Sequence, residues 1–207
     1  LDGGIMPRDP GSKRQHLRER IAHQAARLMA EDGIADYAMA KRKAARQAGD
    51  SDLRELPTNE EVEQALRVYQ ELYQGEEQRA VLKHLRKQAL AVMQLLKSFN
   101  PHLTGPVLSG TAGRHSDVSL QLFVDSIKDV ELFLLNREIP YRRAEKHLYV
   151  GDAWRVIPVF TLDSDEAEVK IAVFSTNDQR HALRTSADGK PIERARTEIV
   201  ENLLQQV

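Results

Sequence analysis

The chain has 207 residues, of which 41% are hydrophobic and 29% are charged, a composition typical of a folded globular protein and not of a disordered or fibrous one. Its 30 basic and 31 acidic residues give a formal net charge of -1, which argues against a general nucleic-acid coat and against a polybasic membrane anchor. The absence of cysteine excludes thiol catalysis, disulfide scaffolds and zinc-thiolate sites.

The sequence shows no feature of membrane insertion or export. No apolar run approaches the ~20 residues that a membrane-spanning helix needs. Residues 1–11 lack the basic start and the apolar stretch of a signal peptide. We interpret residues 1–5, which precede Met6, as a tag remnant within a disordered start at residues 1–11. A cytoplasmic protein without a membrane partner is therefore expected.

Residues 12–99 have the apolar periodicity of helices. Apolar side chains recur at steps of three or four residues, as in Leu17, Ile21, Ala25 and Leu28. We expect the first helix to end at Gly33, the second to span residues 37–48, the third to run from a cap at Thr58 or Asn59 to Gly75, and the fourth to span residues 77–99. These elements predict a helical bundle.

The charges of this region come in blocks of alternating sign. Residues 13–50 carry nine basic and five acidic side chains, residues 51–77 carry two and eight, and residues 79–97 carry five basic ones and no acidic one. This order predicts helices that attract one another within the chain. The other interpretation is that the acidic face between Glu60 and Glu77 binds a protein partner.

Short strands are predicted after Pro101. We expect strands at residues 106–112, 118–124, 147–150, 154–160 and 168–174, and helices at residues 126–136 and 192–207. At least three strands are expected to be antiparallel. Pro158 predicts a sheet edge or a bulge, and Trp154 is expected in the core. The predicted fold class is α+β, with the helical bundle packed on a small mixed or antiparallel-sheet domain at residues 100–191 and a C-terminal helix at residues 192–207.

Residues 25–49 resemble the first two helices of a TetR-type helix-turn-helix. Residues 25–33 match the first helix and its glycine stop, and residues 43–49 match the approach to the turn. The resemblance implies that the next segment enters the major groove of DNA. That segment, residues 50–57, is acidic and ends in proline, so it would repel phosphates. DNA is therefore not the expected partner.

A second resemblance begins in the stretch PVLSGTAGRHSDVSLQLF. This stretch is similar to the start of the nucleotidyltransferase fold of the polymerase-β superfamily, in which one strand ends in Gly-Ser and the next carries Asp-x-Asp. Gly110 and Thr111 stand in the place of Gly-Ser, and Asp117 and Ser119 stand in the places of the two aspartates. The resemblance implies a degenerate nucleotidyltransferase-like domain. The whole chain is also similar in general character to short bacterial proteins.

The resemblance further implies carboxylates that hold Mg²⁺ against a triphosphate. The third carboxylate of the family sits on a later strand, where this sequence has Ala172, with Glu168 on the same face. We therefore expect Asp117 to be the catalytic residue, and Asp117 and Glu168 to hold a metal ion if one binds. If the protein is an enzyme, it is expected to be a metal-dependent nucleotidyltransferase. The sequence leaves an active and an inactive site both open.

A polar cluster in the loop before the second predicted strand supplies the candidate ligand-binding residues. These residues are Gly110, Thr111, Gly113, Arg114, His115, Ser116 and Ser119. A guanidinium and the N–H groups of a glycine-rich turn would bind phosphate. In the other interpretation the loop is a structural connector, in which Gly113 has a positive φ and Ser116 caps the turn.

Two functional hypotheses follow. The first is binding of a nucleotide or another phosphorylated small molecule at this loop, with Arg114 on the phosphate and Mg²⁺ as the possible cofactor. The second is a non-catalytic protein-interaction module that uses the helical half. The basic stretch at residues 141–143, with Lys146 and His147, is typical of a solvated edge strand. A phosphate-binding edge is the other interpretation of that stretch.

Overall fold

The computed structural model describes residues 10–49, 56–163, 167–187 and 189–206. The predicted tag remnant and residues 50–55 of the helix-turn-helix resemblance lie outside the described residues. The chain divides into two compact units, residues 1–76 and residues 77–207, which we call the helical unit and the sheet unit. The fourth helix, which the sequence groups with the bundle, lies almost entirely in the sheet unit.

The helical unit contains α1 (Pro10–Asp32), α2 (Tyr37–Gln47) and α3 (Asn59–Tyr73). Asp36 caps α2 by accepting a hydrogen bond from the Met39 N–H at 2.6 Å. A reciprocal capping box between Thr58 and Glu61 starts α3. The buried core consists mainly of small side chains, which let the helices approach closely: Ile21, Ala22, Ala25, Ala26, Leu28, Ala40, Ala44, Ala45, Val62, Ala65 and Leu66.

Ion pairs between helices accompany this apolar packing. The Arg18 guanidinium on α1 donates to both carboxylate oxygens of Glu61, with its Nη2 2.7 Å from Oε2. Lys43 on α2 lies 2.9 Å from Asp32. These contacts support the interpretation of the charge blocks as attraction within the chain. Each exposed pair contributes only about 0–1 kcal/mol, so the apolar core dominates the stability.

The described residues of the sheet unit form α4, two 3₁₀ turns and a seven-stranded sheet with further helices. In chain order the elements are α4 (Gly75–Leu95), β1 (His102–Thr104), α5 (Pro106–Ser109), β2 (Val118–Val124), α6 (Ile127–Asn136), β3 (Tyr141–Val150), β4 (Ala153–Leu162), β5 (Val169–Ser175), β6 (Leu183–Arg184), β7 (Arg194–Ala195) and α7 (Thr197–Gln205). The strand order is β6-β3-β4-β5-β2-β1-β7. Only β2 and β5 pair in parallel among these neighbours. The predicted α+β class is confirmed.

The two faces of the sheet differ in character. On one face, alternate residues of β2 such as Leu120 and Leu122 share a core with α4, α6 and α7. On the other, which we call the second face, β2 places Ser119, Gln121 and Phe123. Phe123 joins a smaller apolar cluster there, whereas the half of the second face near Ser119 is polar. The candidate site lies at this polar half.

The strand predicted at residues 106–112 is wrong, because that stretch forms the single turn of α5 and a loop. Pro106 has no N–H and starts the turn, which favours a helix over a strand. Gly105 and Gly110 have φ values of 73° and 89°, which strand residues do not adopt. The strand that precedes the loop is instead β1, which the sequence analysis missed.

Three further expectations need correction. The C-terminal helix begins at Thr197, not at residue 192, because residues 194–195 pair with β1 as β7. Pro158 lies on β4, which is an internal strand and not the predicted sheet edge. Pro158 itself pairs only with Glu145 on β3, so its missing N–H breaks no hydrogen bond to β5. Trp154 is not in the core: it is 53% exposed and stacks on His147 near the β3–β4 turn.

Candidate functional site

The loop from Gly110 to Asp117 is held by hydrogen bonds of its own backbone. The Pro106 carbonyl accepts from the N–H groups of Gly110, Thr111 and Ala112, at 2.9 to 3.1 Å. Thr111 is buried, and its hydroxyl lies 3.0 Å from that of Ser109. These three N–H groups therefore face the loop itself, and a phosphate would have to displace internal bonds to reach them.

The second half of the loop is a tight turn. Ser116 accepts a hydrogen bond at its Oγ from the Gly113 N–H, and its own N–H donates to the Gly113 carbonyl, both at 3.0 Å. Ser116 thus caps the turn as the connector interpretation predicts. The positive φ predicted for Gly113 is found at Gly110 instead. The backbone of this loop therefore forms a structural connector, as one interpretation predicts. Its charged side chains remain accessible to a ligand, which the other interpretation requires.

Arg114 and His115 are the exposed members of the cluster. Arg114 forms an ion pair with Glu77 near the start of α4, and its side chain is 63% exposed. An exposed pair of this kind is weak because water solvates both charges. The guanidinium is therefore available to an anion that competes with Glu77.

Asp117 meets a cation from the neighbouring strand. The parallel register pairs Ser119 of β2 with Lys170 of β5, and the Val118 N–H donates to the Glu168 carbonyl at 3.0 Å. The Lys170 Nζ consequently lies 2.5 Å from Asp117 Oδ2. The hydrogen bond to Asp117 raises the pKa of Lys170, so the ammonium stays charged at neutral pH.

Glu168 belongs to the same group of charges. Its carboxylate lies 3.7 Å from the Lys170 ammonium and also pairs with Arg142 on β3. Arg142 in turn lies 2.7 Å from Asp163, and its hydrogen bonds to Asp163 and Glu168 raise its pKa. The two carboxylates predicted from the sequence thus both contact one lysine. The sequence places Lys170 on the face of Glu168, but only the parallel pairing brings it to Asp117.

The side chains at this point do not fit the two-metal centre that the resemblance implies. Ser119 replaces one carboxylate, and an ammonium instead of a metal ion lies against Asp117. Within the described ranges, no three His, Asp or Glu side chains are grouped closely enough to hold a metal ion. Binding of a single Mg²⁺ by Asp117 and Glu168 stays a prediction, and it requires the Lys170 ammonium to move away.

Comparison with known proteins adds no family. No protein-family model matches this chain, and a search of curated proteins finds no similar one. The nucleotidyltransferase resemblance is therefore still an expectation, and the proposed function rests on the geometry of the site. Across the part of the chain that the structure describes, no helix combines the length and the apolar character needed to cross a membrane.

Proposed function

We propose that the protein binds a nucleotide or another phosphorylated small molecule at the polar half of the second face. The observation that carries the proposal is the Lys170 ammonium, 2.5 Å from Asp117 and 3.7 Å from Glu168 at the start of the β2–β5 pair. A lysine held by carboxylates on a partly exposed sheet face is oriented, charged and accessible. These are the properties that a phosphate-binding lysine needs.

Arg114 supplies the second anion-binding group of the proposal. It lies three residues before Asp117, and its exposed partner Glu77 competes weakly. A phosphate that replaces Glu77 would accept two parallel hydrogen bonds from the guanidinium. Asp117 would then orient Lys170 and accept a hydrogen bond from a ligand hydroxyl. The proposal concerns binding, and a transferase reaction would need a substitute for the carboxylate missing at Ser119.

A thermal-shift panel with ATP, GTP, CTP and UTP tests this function. A nucleotide at ~100 times its Kd stabilises the folded state by about 2.7 kcal/mol, which raises the Tm of a chain of this size by several degrees. We expect such a shift, and we expect Lys170→Met and Arg114→Ala to reduce it. Arg67→Ala is the matched control, because Arg67 forms an exposed ion pair in the helical unit. Unchanged melting in all four nucleotides would refute the proposal.

A second function is favoured by the surface of the helical unit. Leu72 and Tyr73, at the end of α3, are 68% and 72% exposed and border a groove of about 910 Å³ that Arg20 and the Arg27–Glu31 ion pair also line. Apolar side chains next to guanidinium groups match a partner segment that carries apolar and acidic residues. This groove differs from the acidic face between Glu60 and Glu77 that the sequence predicts as a binding surface. One carboxylate of that face, Glu61, already pairs with Arg18 of the same unit.

Peptide binding tests the second function. A fluorescent amphipathic peptide of Leu and Glu should bind more tightly than the same peptide with Lys in place of Glu. Leu72→Ser should weaken the binding of the Leu–Glu peptide, whereas Arg114→Ala should not. Equal affinity for the two peptides, or no effect of Leu72→Ser, would contradict this function.

A further inference from the structure

Two lysines on the second face, Lys146 and Lys170, lie outside the loop motif found in the sequence. Lys170 lies on β5, and Lys146 lies on β3, with β4 between the two strands. The registers place both side chains on the second face, since Lys170 pairs with Thr161 and Lys146 pairs with Ile157 on β4. Two ammonium groups therefore project from one side of three adjacent strands, on the same face as the guanidinium of Arg142, which is paired with Asp163 and Glu168.

The residues between the two lysines are small and apolar. Ala172 on β5, Val159 on β4 and Ala144 on β3 form one row across the sheet, between the row of Lys170 and the row of Lys146. None of them has a polar side-chain atom, and the two alanines end at Cβ. In this structure the Lys170 ammonium points towards Asp117, so it has to swing along this row to approach Lys146.

Unlike that of Lys170, the positive charge of Lys146 is not balanced by an ion pair with any described residue. Lys170 is held by Asp117, whereas no carboxylate of the described residues forms an ion pair with Lys146. The Lys146 side chain is exposed, so a ligand can reach it. Partial desolvation by the surrounding protein lowers the pKa of Lys146, and repulsion from Lys170 lowers it further. An anion between the two ammonium groups would relieve both effects.

A buried acceptor lies beside this pair. Gln121 is next to Ser119 on the second face of β2 and pairs across to Ala172. It is 1% exposed, and its Oε1 has no hydrogen-bond partner. A buried polar atom without a partner costs about 1–3 kcal/mol, and folded proteins rarely retain one. A ligand hydroxyl or amino group would satisfy this oxygen once the side chains that cover Gln121 move aside.

We infer that the second face binds a phosphate ester without a divalent cation, with the phosphate between Lys170 and Lys146 and a hydroxyl or amino group of the same ligand donating to Gln121. This inference rests on the proposed function and states its ligand chemistry. The Lys170 ammonium supplies the positive charge that the family resemblance assigns to a metal ion. Adjacent strands lie about 4.8 Å apart, so β2 and β3 are about 14 Å apart and suit a ligand larger than a phosphate ion.

Isothermal titration of the full chain with ATP and with tripolyphosphate tests the inference, each in excess EDTA and in excess Mg²⁺. We expect both compounds to bind in EDTA. Lys146→Met and Lys170→Met should each weaken binding of both by about 10- to 100-fold, the contribution of a hydrogen bond from a charged donor. Lys128→Met is the matched control, because Lys128 is an exposed lysine on α6.

The Gln121→Leu variant tests the role of the Gln121 oxygen independently of the two lysines. Tripolyphosphate lacks the ribose hydroxyls and the amino group of ATP, so its affinity should change less than that of ATP in this variant. ATP should lose about 2- to 10-fold in affinity, the contribution of one neutral hydrogen bond. The Tm of the free protein should not fall, because leucine removes a buried oxygen that has no partner.

The outcomes distinguish the inference from the proposed function. Binding of ATP only with Mg²⁺ would overturn the metal-free site and leave nucleotide binding standing. Binding that survives Lys146→Met would overturn the place of the phosphate, and equal losses for ATP and tripolyphosphate in Gln121→Leu would overturn the role of Gln121. No binding of either compound in either buffer would refute the proposed function itself.

Discussion

Gln78 on α4 anchors the loop that leads to Asp117, and its replacement should destabilise the sheet unit. The Gln78 amide nitrogen donates to the Gly110 carbonyl at 3.0 Å and to the Ala112 carbonyl at 2.9 Å. Both bonds are partly buried, so water replaces the lost donor only in part. At about 0.5–1.5 kcal/mol for each bond, Gln78→Ala should lower the free energy of unfolding by about 1–3 kcal/mol.

Differential scanning calorimetry measures this loss directly. For a chain of this size, 1 kcal/mol corresponds to about 2–4 °C, so the Tm should fall by about 2–12 °C. Gln78→Glu keeps the length of the side chain but turns the donor into an acceptor, so it should also destabilise. Gln94→Ala is the control, because Gln94 is exposed on the same helix; its effect should stay within about 0.5 kcal/mol.

The same variants test whether the loop belongs to the site. If Gln78 positions the loop, then Gln78→Ala should also weaken ATP binding at temperatures where the protein remains folded. Melting temperatures that do not change in Gln78→Ala and Gln78→Glu would refute the anchoring. A lower Tm with unchanged ATP affinity would show that the loop contributes to stability alone and would remove Arg114 from the proposed site.

Three further predictions concern single side chains. Burial raises the pKa of Asp178, but hydrogen bonds from Arg155 and Ser175 hold it below its ordinary value of 3.8. The stability that Asp178 contributes is therefore present above the unfolded-state pKa and is lost as the pH falls through the lower folded-state pKa. Asp178→Asn should flatten the loss of stability below about pH 4 in urea titrations, and an acid limb identical to that of the parent would contradict this. Trp154→Ala should cost about 1 kcal/mol in urea unfolding and not the 3–5 kcal/mol of a buried tryptophan, since the ring is 53% exposed; a loss in the higher range would show that the ring is buried. Thr58→Ala should cost about 1 kcal/mol by removing the N-cap of α3, whereas Thr58→Ser should preserve the cap; equal stability of the two variants in urea unfolding followed by circular dichroism would contradict this.

The helical unit could be predicted from the sequence because its signals are local. The cap at Thr58 and the apolar periodicity of α1 act within a few residues, so they predict the helix boundaries closely. The strand predicted at residues 106–112 was wrong because an apolar run fits a strand and a buried turn equally well. Pro106 and the two flanking glycines, Gly105 and Gly110, favour the turn.

The candidate site could be predicted only in its parts. Asp117 and Glu168 carry recognisable chemistry in the sequence, and Glu168 and Lys170 share a face by simple alternation. The contact between Lys170 and Asp117 depends on the parallel pairing of β2 with β5, and no local pattern encodes which strands become neighbours. The unpaired Gln121 oxygen likewise emerges only when the burial and the partners of that side chain are known.

The position of β5 between β4 and β2 has a consequence for how the sheet unit folds. β5 is the last long strand in the chain, and it joins the β3–β4 hairpin to the β1–β2 pair. Until β5 inserts, β2 and β4 each have an open edge that can pair with another chain. Because α6 and the hairpin separate β2 from β5, this step closes a long loop and should limit the folding rate. Release of residues 169–175 from the ribosome should therefore join the two halves of the sheet in one cooperative step, before β6 and β7 add to its edges, and chains that stop before these residues should aggregate.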